Sequence, residues 1–289
     1  LIFYLKGNLN SYTLMNILIT GCSGSLGRFI MKHLDREQYK TIICIINSEK
    51  RYKENDFLFN DCIIYKGDIS NKQFIKDIFE DYDINYVIHA AAMKYIDTCE
   101  KFQRNCIDSN IIGTLNICEM SKKKKVNNLI TISSDKANNP SSLYGISKLA
   151  SENITLSHGY SVYQGVNFWN SDGSFLQKWK TAIRNKKQVI LYDDRHIRYF
   201  SELNETAIEI LKLISENNVN KIIYPTKCLK IKIVDVFNYL KDLFKDVTFI
   251  IKKSEENNFD KIEEQINDFT QVEFLKYDQI NQLIDKIFR

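Results

Sequence analysis

The most constraining segment lies near the start of the chain, where the apolar run Met15-Asn-Ile-Leu-Ile-Thr20 leads without a linker into Gly21-Cys-Ser-Gly24-Ser-Leu-Gly27. A strand, a glycine turn and a helix in immediate succession leave few folds open. Glycines at those places permit a tight turn, close approach of a ligand to the backbone, and tight packing of the first helix on the strand. The N–H groups at the helix start have no intrahelical partners and attract anionic groups. Gly21, Ser23, Gly24, Ser25, Leu26 and Gly27 are therefore expected to line the pyrophosphate of a dinucleotide. Alone, three glycines also fit an ordinary turn, and it is their setting between strand and helix that favours the cofactor.

Downstream, strand-like runs at 16–20, 41–46, 62–66, 85–91, 128–133 and 160–168 alternate with helix-like stretches at about 25–37, 71–80, 104–121 and 142–157, the last stopped by Gly159. Such alternation calls for right-handed crossovers and a parallel sheet covered on both faces. The expected class is α/β, a Rossmann-like doubly wound parallel sheet over residues 15–166 with a smaller C-terminal substrate lobe. Residues 1–14 read as an N-terminal extension. After about residue 167 the period weakens, with helices near 175–185, 202–216, 232–243 and 274–288 and short strands near 188–192 and 247–252. Residues 167–289 are expected mainly to bind substrate.

At 44% hydrophobic residues with two prolines the chain can bury a core. Its 40 basic and 36 acidic residues are spread along the sequence, so no nucleic-acid partner is expected. Lys122–Lys125 reads as a solvated helix end. The seven cysteines are odd in number and lack Cys-x-x-Cys spacing, which suits free thiols in the cytoplasm. No stretch approaches the roughly 18 apolar residues of a membrane span. Leu1–Leu14 lacks the basic start and long apolar core of a signal peptide. His158 and His196 lack metal-ligand spacing, and no metal is expected.

Asn47 and Ser48 stand where an acidic residue would hold the adenosine ribose hydroxyls. Glu49 follows, but Lys50, Arg51 and Lys53 come close behind and can pair with a 2′-phosphate. The balance favours NADP, with NAD the alternative if those cations form only an exposed loop face. After the third strand, Asp68 of Gly67-Asp68-Ile69 can accept a hydrogen bond from the adenine amino group, with Ile69 beside it. Alternatively, Asp68 caps the helix that begins near Asn71.

Tyr144-Gly-Ile-Ser-Lys148 places a phenol and an ammonium one helical turn apart. The ammonium is expected to lower the phenol pKa, so that Tyr144 can take a hydroxyl proton while Lys148 also holds the nicotinamide ribose. Ser134-Asp135-Lys136 falls at the end of the fifth strand, where open parallel sheets gather ligands. As bland alternatives, Asp135 and Lys136 are polar loop residues and His89 is a packing or cofactor-lining residue.

These residues resemble the extended short-chain dehydrogenases and, among them, the soluble UDP-N-acetylglucosamine 4,6-dehydratases of capsule and flagellin-sugar pathways. The resemblance spans residues 15–210. It is carried by the glycine turn, Gly67-Asp68, Ile88-His89-Ala90-Ala91-Ala92-Met93-Lys94, Asn110-Ile-Ile-Gly113-Thr, and Ser134-Asp135-Lys136-Ala-Asn-Asn-Pro140-Ser-Ser-Leu-Tyr144-Gly-Ile-Ser-Lys148. Ser134 replaces the family's usual threonine and keeps the hydroxyl. Related hexose 4,6-dehydratases carry Asp-Glu in place of Asp135-Lys136, and membrane-bound relatives tend to have Met in place of Tyr144.

The resemblance implies NADP held also by Ala90, Ala91, Ala92 and Lys94, and a UDP-N-acetylhexosamine substrate met by Lys94, Asn110, Asn170 and Arg198. It implies that Tyr144 takes the 4-hydroxyl proton, Lys136 the C5 proton, and that Asp135 protonates the departing 6-hydroxyl, with inversion at C5 and a 4-keto-6-deoxy product for surface glycans. It further implies a homo-oligomer. Lys252-Lys253-Ser254-Glu255-Glu256 replaces the family's Arg-Pro-Gly-Glu-Lys, which alters nucleotide contacts there. A nucleotide-sugar 4-epimerase and a non-catalytic NADP-binding subunit are the alternatives.

Overall fold

The computed structural model describes residues 15–47, 49–216, 220–252, 271–275 and 277–288. The expectations for residues 1–14, for Ser48 and for Lys253–Glu256 lie outside the described residues. In chain order the first part runs β1 (Met15–Thr20), α1 (Ser25–His33), β2 (Tyr39–Ile46), α2 (Glu49–Lys53), β3 (Cys62–Lys66), α3 (Lys72–Asp81), β4 (Tyr86–His89), α4 (Ile96–Lys101), α5 (Gln103–Ile107), α6 (Gly113–Lys123), β5 (Asn128–Ser134), α7 (Leu143–Ser157) and β6 (Ser161–Gly165). The second runs β7 (Asn167–Phe168), α8 (Phe175–Arg184), β8 (Val189–Leu191), β9 (Ile197–Ser201), α9 (Leu203–Ser215), β10 (Ile222–Ile223), β11 (Lys227–Lys232), α10 (Ile233–Leu243), β12 (Phe249–Ile251), β13 (Gln271–Phe274) and α11 (Tyr277–Phe288).

Seven strands form one sheet in the order β10-β6-β5-β4-β1-β2-β3, every pairing parallel. Side chains alternate across a strand, so Ile17 and Ile19 enter one core with Ile30 and Met31 of α1, while Leu18 enters the other with Ile75, Ile78 and Phe79 of α3. Each fully buried isoleucine contributes about 1.5–3 kcal/mol. These two apolar layers are why β1 reads as a continuous hydrophobic run and why helices cover both faces. Among the described residues no helix is long and apolar enough to cross a membrane.

The division at residue 166 needs correction, because the chain returns to the first sheet after leaving it. Ala207, Ile210 and Ile214 of α9 pack in the core beneath α1, and β10 pairs with β6 as the seventh strand. The second lobe is built around a four-stranded sheet, β13-β11-β9-β7, and a two-stranded pair, β12-β8. Its separate core holds Trp179, Phe200 and Phe237, with the Trp179 and Phe237 rings 5.6 Å apart. The sequence period misses β9, β11 and β13: Arg198 and the alternating lysines of Lys227–Lys232 mask short strands whose apolar positions, such as Ile231, are buried.

Two local differences bear on the site. The helix expected over 104–121 contains a π turn at Asp108–Ile112, where both Thr114 Oγ1 (2.7 Å) and Ser151 Oγ (2.6 Å) donate to the Asn110 carbonyl. The strand expected over 85–91 stops at His89, which frees Ala90–Lys94 to cross the carboxyl end of the sheet.

Candidate active site

Gly21 turns the chain with φ +70°, and a Cβ there would stand 2.6 Å from Ala91 N. A Cβ on Gly27 would meet Cys22 Cα at 2.5 Å. Both positions exclude a side chain, so the backbone at the start of α1 remains a bare cradle whose first N–H groups have no intrahelical partner and suit a phosphate. That geometry fits the pyrophosphate expected from Gly21, Ser23, Gly24, Ser25, Leu26 and Gly27. Ala90 and Ala91 form its other wall, anchored by Ala90 N to Thr20 O at 3.2 Å and Ala91 N to Thr20 Oγ1 at 3.1 Å. Ala92 follows on the same connection.

At the adenosine end, exposed Asn47 closes β2. Glu49 binds Lys53 at 3.0 Å and Lys66 at 2.5 Å, and these ammonium groups hold its carboxyl down at about 2. Lys50 is exposed, whereas half-buried Arg51 lies close enough to Lys94 to disfavour its charge. Asp68 is not the cap of α3: its Oδ1 accepts from Ser70 N at 2.9 Å, and Asn71 accepts from Phe74 N at 3.1 Å in that role. Ile69 is buried, and its carbonyl accepts from Asn116 Nδ2 at 3.0 Å.

The candidate catalytic residues stand between β5 and α7. Ser142 caps α7 by accepting from Gly145 N at 3.2 Å, and Glu100 of α4 accepts from Leu143 N at 2.6 Å. The helix start is thereby satisfied and sets Tyr144 in its first turn, packed against Cys99 and Cys106. Ser134 Oγ donates to Asp135 Oδ1 at 2.8 Å and also lies in hydrogen-bond contact with the Tyr144 phenol. Lys136 Nζ reaches Asp135 Oδ1 at 3.0 Å and Asn167 Oδ1 at 3.2 Å. Lys148 Nζ donates to Ile132 O at 2.8 Å. Asp135, Lys136, Tyr144, Lys148 and Ser134 thus converge on one strand end.

One electrostatic expectation is corrected. Burial dominates at Tyr144 and pushes the phenol up to about 12, opposed chiefly by the charge of Lys136 rather than that of Lys148. Burial also brings Lys148 down to about 8, with Glu152 opposing. His89 bridges Thr20 Oγ1 (2.7 Å) and Thr114 Oγ1 (3.1 Å), and burial lowers it to about 3, so it is a neutral link within the core.

The loop after β7 closes over the glycine turn. Asp172 pairs with Arg28 at 3.0 Å, its N–H donates to Ser25 Oγ at 3.0 Å, and its carbonyl accepts from Lys94 Nζ at 2.8 Å and Tyr95 OH at 3.0 Å. Lys94 therefore sits at the junction of the two lobes, with burial lowering its proton affinity.

Two substrate expectations change. Asn110 is only 1% exposed, and its amide is taken by Met93 N (2.7 Å), Met93 O (3.0 Å) and Ser147 Oγ (2.9 Å), so it braces the Met93–Lys94 segment from inside. Asn170 pairs with Gln177 and lines a cavity of about 450 Å³ that Asp135, Lys136, Tyr144 and Lys148 do not line. It is Asn167, three residues earlier, that meets Lys136, with its Nδ2 tied to Tyr199 O at 3.0 Å. Arg198 lies half-buried on β9 with Nη1 on Ile197 O at 2.9 Å. Arg28, Asn167 and Asp172 carried no spacing signal, because their partners are distant in sequence.

A glycine turn opening α1, a Tyr-x-x-x-Lys turn on α7 and a carboxylate–amine pair at the end of β5 define an extended short-chain dehydrogenase. Within that class the chain belongs to the polysaccharide biosynthesis protein family, whose model it matches over residues 17–280. It is 34% identical to an uncharacterized membrane protein of Methanocaldococcus jannaschii over 70% of this chain and 64% of that one. It is 33% identical to a UDP-N-acetylglucosamine 4,6-dehydratase (inverting) of Campylobacter jejuni subsp. jejuni serotype O:23/36 over 73% of this chain and 66% of the other. The chain thus spans about two thirds of the length of these curated relatives. In three dimensions it resembles a UDP-glucose 4-epimerase of Thermotoga maritima, with TM-score 0.80 and 18% identity over 94% of this chain and 98% of that one, a likeness of fold.

Proposed function

We propose that the protein is a UDP-N-acetylglucosamine 4,6-dehydratase, C5-inverting, that makes a 4-keto-6-deoxy-N-acetylhexosamine for surface glycans. The observation that carries this is the Asp135–Lys136 pair, 3.0 Å apart at the end of β5 beside Tyr144. A 4-epimerase needs the tyrosine and the cofactor but not a second acid–base pair.

When bound, the nicotinamide supplies the hydride acceptor and donor. Tyr144 removes the proton from the sugar 4-hydroxyl; burial disfavours its phenolate, and the charge of Lys136 and contact with Ser134 oppose that burial. The 4-keto group acidifies the proton at C5. A single proton shift across the 3.0 Å contact converts the ammonium and carboxylate of Lys136 and Asp135 into an amine and a carboxylic acid. That one step arms both partners: Lys136 takes the C5 proton, and Asp135 delivers a proton to the departing 6-hydroxyl. Asn167 holds the amine in place from the second lobe.

NADP is the proposed cofactor, supported by Glu49 being engaged by two lysines while the Arg51 charge lies near enough to bear on Lys94. Titration with NADP and NAD should show tighter NADP binding; equal affinities would overturn this. Arg198 is proposed to meet the nucleotide diphosphate. Self-association is proposed through the face of α5 and α7, where Phe102, Ile107, Ile146 and Leu149 are 37–51% exposed on adjacent helices. Ile146→Glu should then yield monomers in sedimentation. Six of the seven cysteines are buried thiols, in keeping with a proposed cytoplasmic setting.

Incubation with UDP-N-acetylglucosamine in deuterated water tests the reaction. Loss of one water with deuterium at an inverted C5 is expected. Unchanged substrate at high enzyme concentration would overturn the proposal, and retained mass with inverted C4 would replace it with an epimerase.

A further inference from the structure

Glu152 is a buried ionisable group that the chemistry above leaves unused. It follows Lys148 by one helical turn, as Lys148 follows Tyr144, so the three form a row along one face of α7. Glu152 is 3% exposed, and Gln164 Nε2 of β6 donates to its Oε1 at 2.8 Å, with the Ser133 hydroxyl of β5 alongside. Lys148 is 6% exposed and uses one of its three donors on Ile132 O. A buried ammonium with one carbonyl partner is costly unless a counter-charge stands near.

The groups around that ammonium come from several elements. Tyr144 and Glu152 share its helix, Cys99 approaches from α4, Cys106 from α5 and His89 from β4. His89 is neutral, and burial pushes the Cys99 thiol up. Glu152 is the one carboxyl among these groups; burial raises its pKa, and the Gln164 donor, the Ser133 hydroxyl and the Lys148 charge oppose that and favour the carboxylate.

We propose that Glu152 is a positioning residue whose buried carboxylate keeps the Lys148 ammonium charged where it meets the cofactor ribose. The inference rests on Lys148 holding that ribose, as the proposed function has it. Burial brings Lys148 to about 8, and Glu152 is the largest influence in the other direction. An ammonium is charged below its pKa and lost as pH rises through it. Removing the carboxylate therefore moves that loss to lower pH.

The test is the affinity of the full chain for NADPH, followed by fluorescence between pH 6 and pH 9. In the wild type, affinity should weaken above about pH 8. In Glu152→Gln the weakening should begin about one unit lower, leaving the variant roughly five- to tenfold weaker at pH 8 and equal to the wild type at pH 6. Superimposable profiles, or a loss equal at every pH, would overturn the proposal and mark Glu152 as structural. Gln164→Leu keeps the acid but removes the donor that favours its ionised form. It should shift the profile the same way by less, and no shift there would overturn the proposal even if Glu152→Gln fails to fold. Because the readout is cofactor affinity, a failure to dehydrate UDP-N-acetylglucosamine would count against the proposed function and not against this role.

Discussion

The strip between β5 and α7 and the loop that reaches it from the second lobe are held by different forces. Asp135, Tyr144 and Lys148 are each less than a tenth exposed and are placed by the parallel sheet, a capped helix and packed neighbours. Asn167 and Asp172 are half-buried and are placed by hydrogen bonds and an ion pair to distant segments. Packed side chains resist displacement in every direction, whereas a few polar contacts can open and re-form. On the proposed function, bond-making falls to the rigid strip, and retention and recognition to the loop.

Substitutions should sort along that division. The largest effect is expected for Lys136→Ala, which should abolish deuterium exchange at C5, a loss of about 10²–10⁴-fold or more, while NADP binding stays intact. Persistent exchange measured by NMR would break the division at its centre. Asn167→Ala should lower kcat roughly tenfold with little change in KM, because the Lys136 amine loses one of its holders; a pure KM effect would move Asn167 to recognition.

Smaller effects are expected from the loop and β9. Asp172→Asn removes the charge that pairs with Arg28 but spares the backbone links to Ser25, Lys94 and Tyr95. It should speed cofactor dissociation by roughly three- to tenfold in stopped-flow displacement, an ion pair at a partly exposed site being worth about 1 kcal/mol. Unchanged dissociation would show that the backbone links alone hold the loop. Arg198→Ala should raise KM for the nucleotide sugar a few-fold and leave kcat unaltered, the signature of uniform binding.

Much of the first sheet was legible because its strands are buried on both faces and its helices begin and end on recognisable residues. The Ser142 cap, Gly159 and the glycine turn sit where the chain must change direction. Tyr144 and Lys148 were legible for a related reason, since one helical turn brings them together whatever else the chain does. The second lobe was less legible. Its short strands carry arginine and lysine on exposed positions, and the return of α9 and β10 to the first sheet leaves no local trace. Asn110 and Asn170 fell on the wrong side of their segments because which way an asparagine faces depends on what packs against it. The π turn swings Asn110 inward, and Asn170, at φ +56°, turns to Gln177.

By itself, the sequence determined the parallel sheet, the bare cradle at Gly21 and Gly27, and the order of acid, amine, phenol and ammonium along the chain. Local rules of period, capping and steric exclusion act within a few residues and need no partner. The tertiary structure decided that Asn167 and Asp172 join the site, that Lys136 rather than Lys148 opposes the burial of Tyr144, and that Glu152 is buried against Gln164 one helical turn beyond Lys148. Those outcomes depend on distances and burial between segments far apart in the chain, where charge and solvent access are set only once the lobes have closed together.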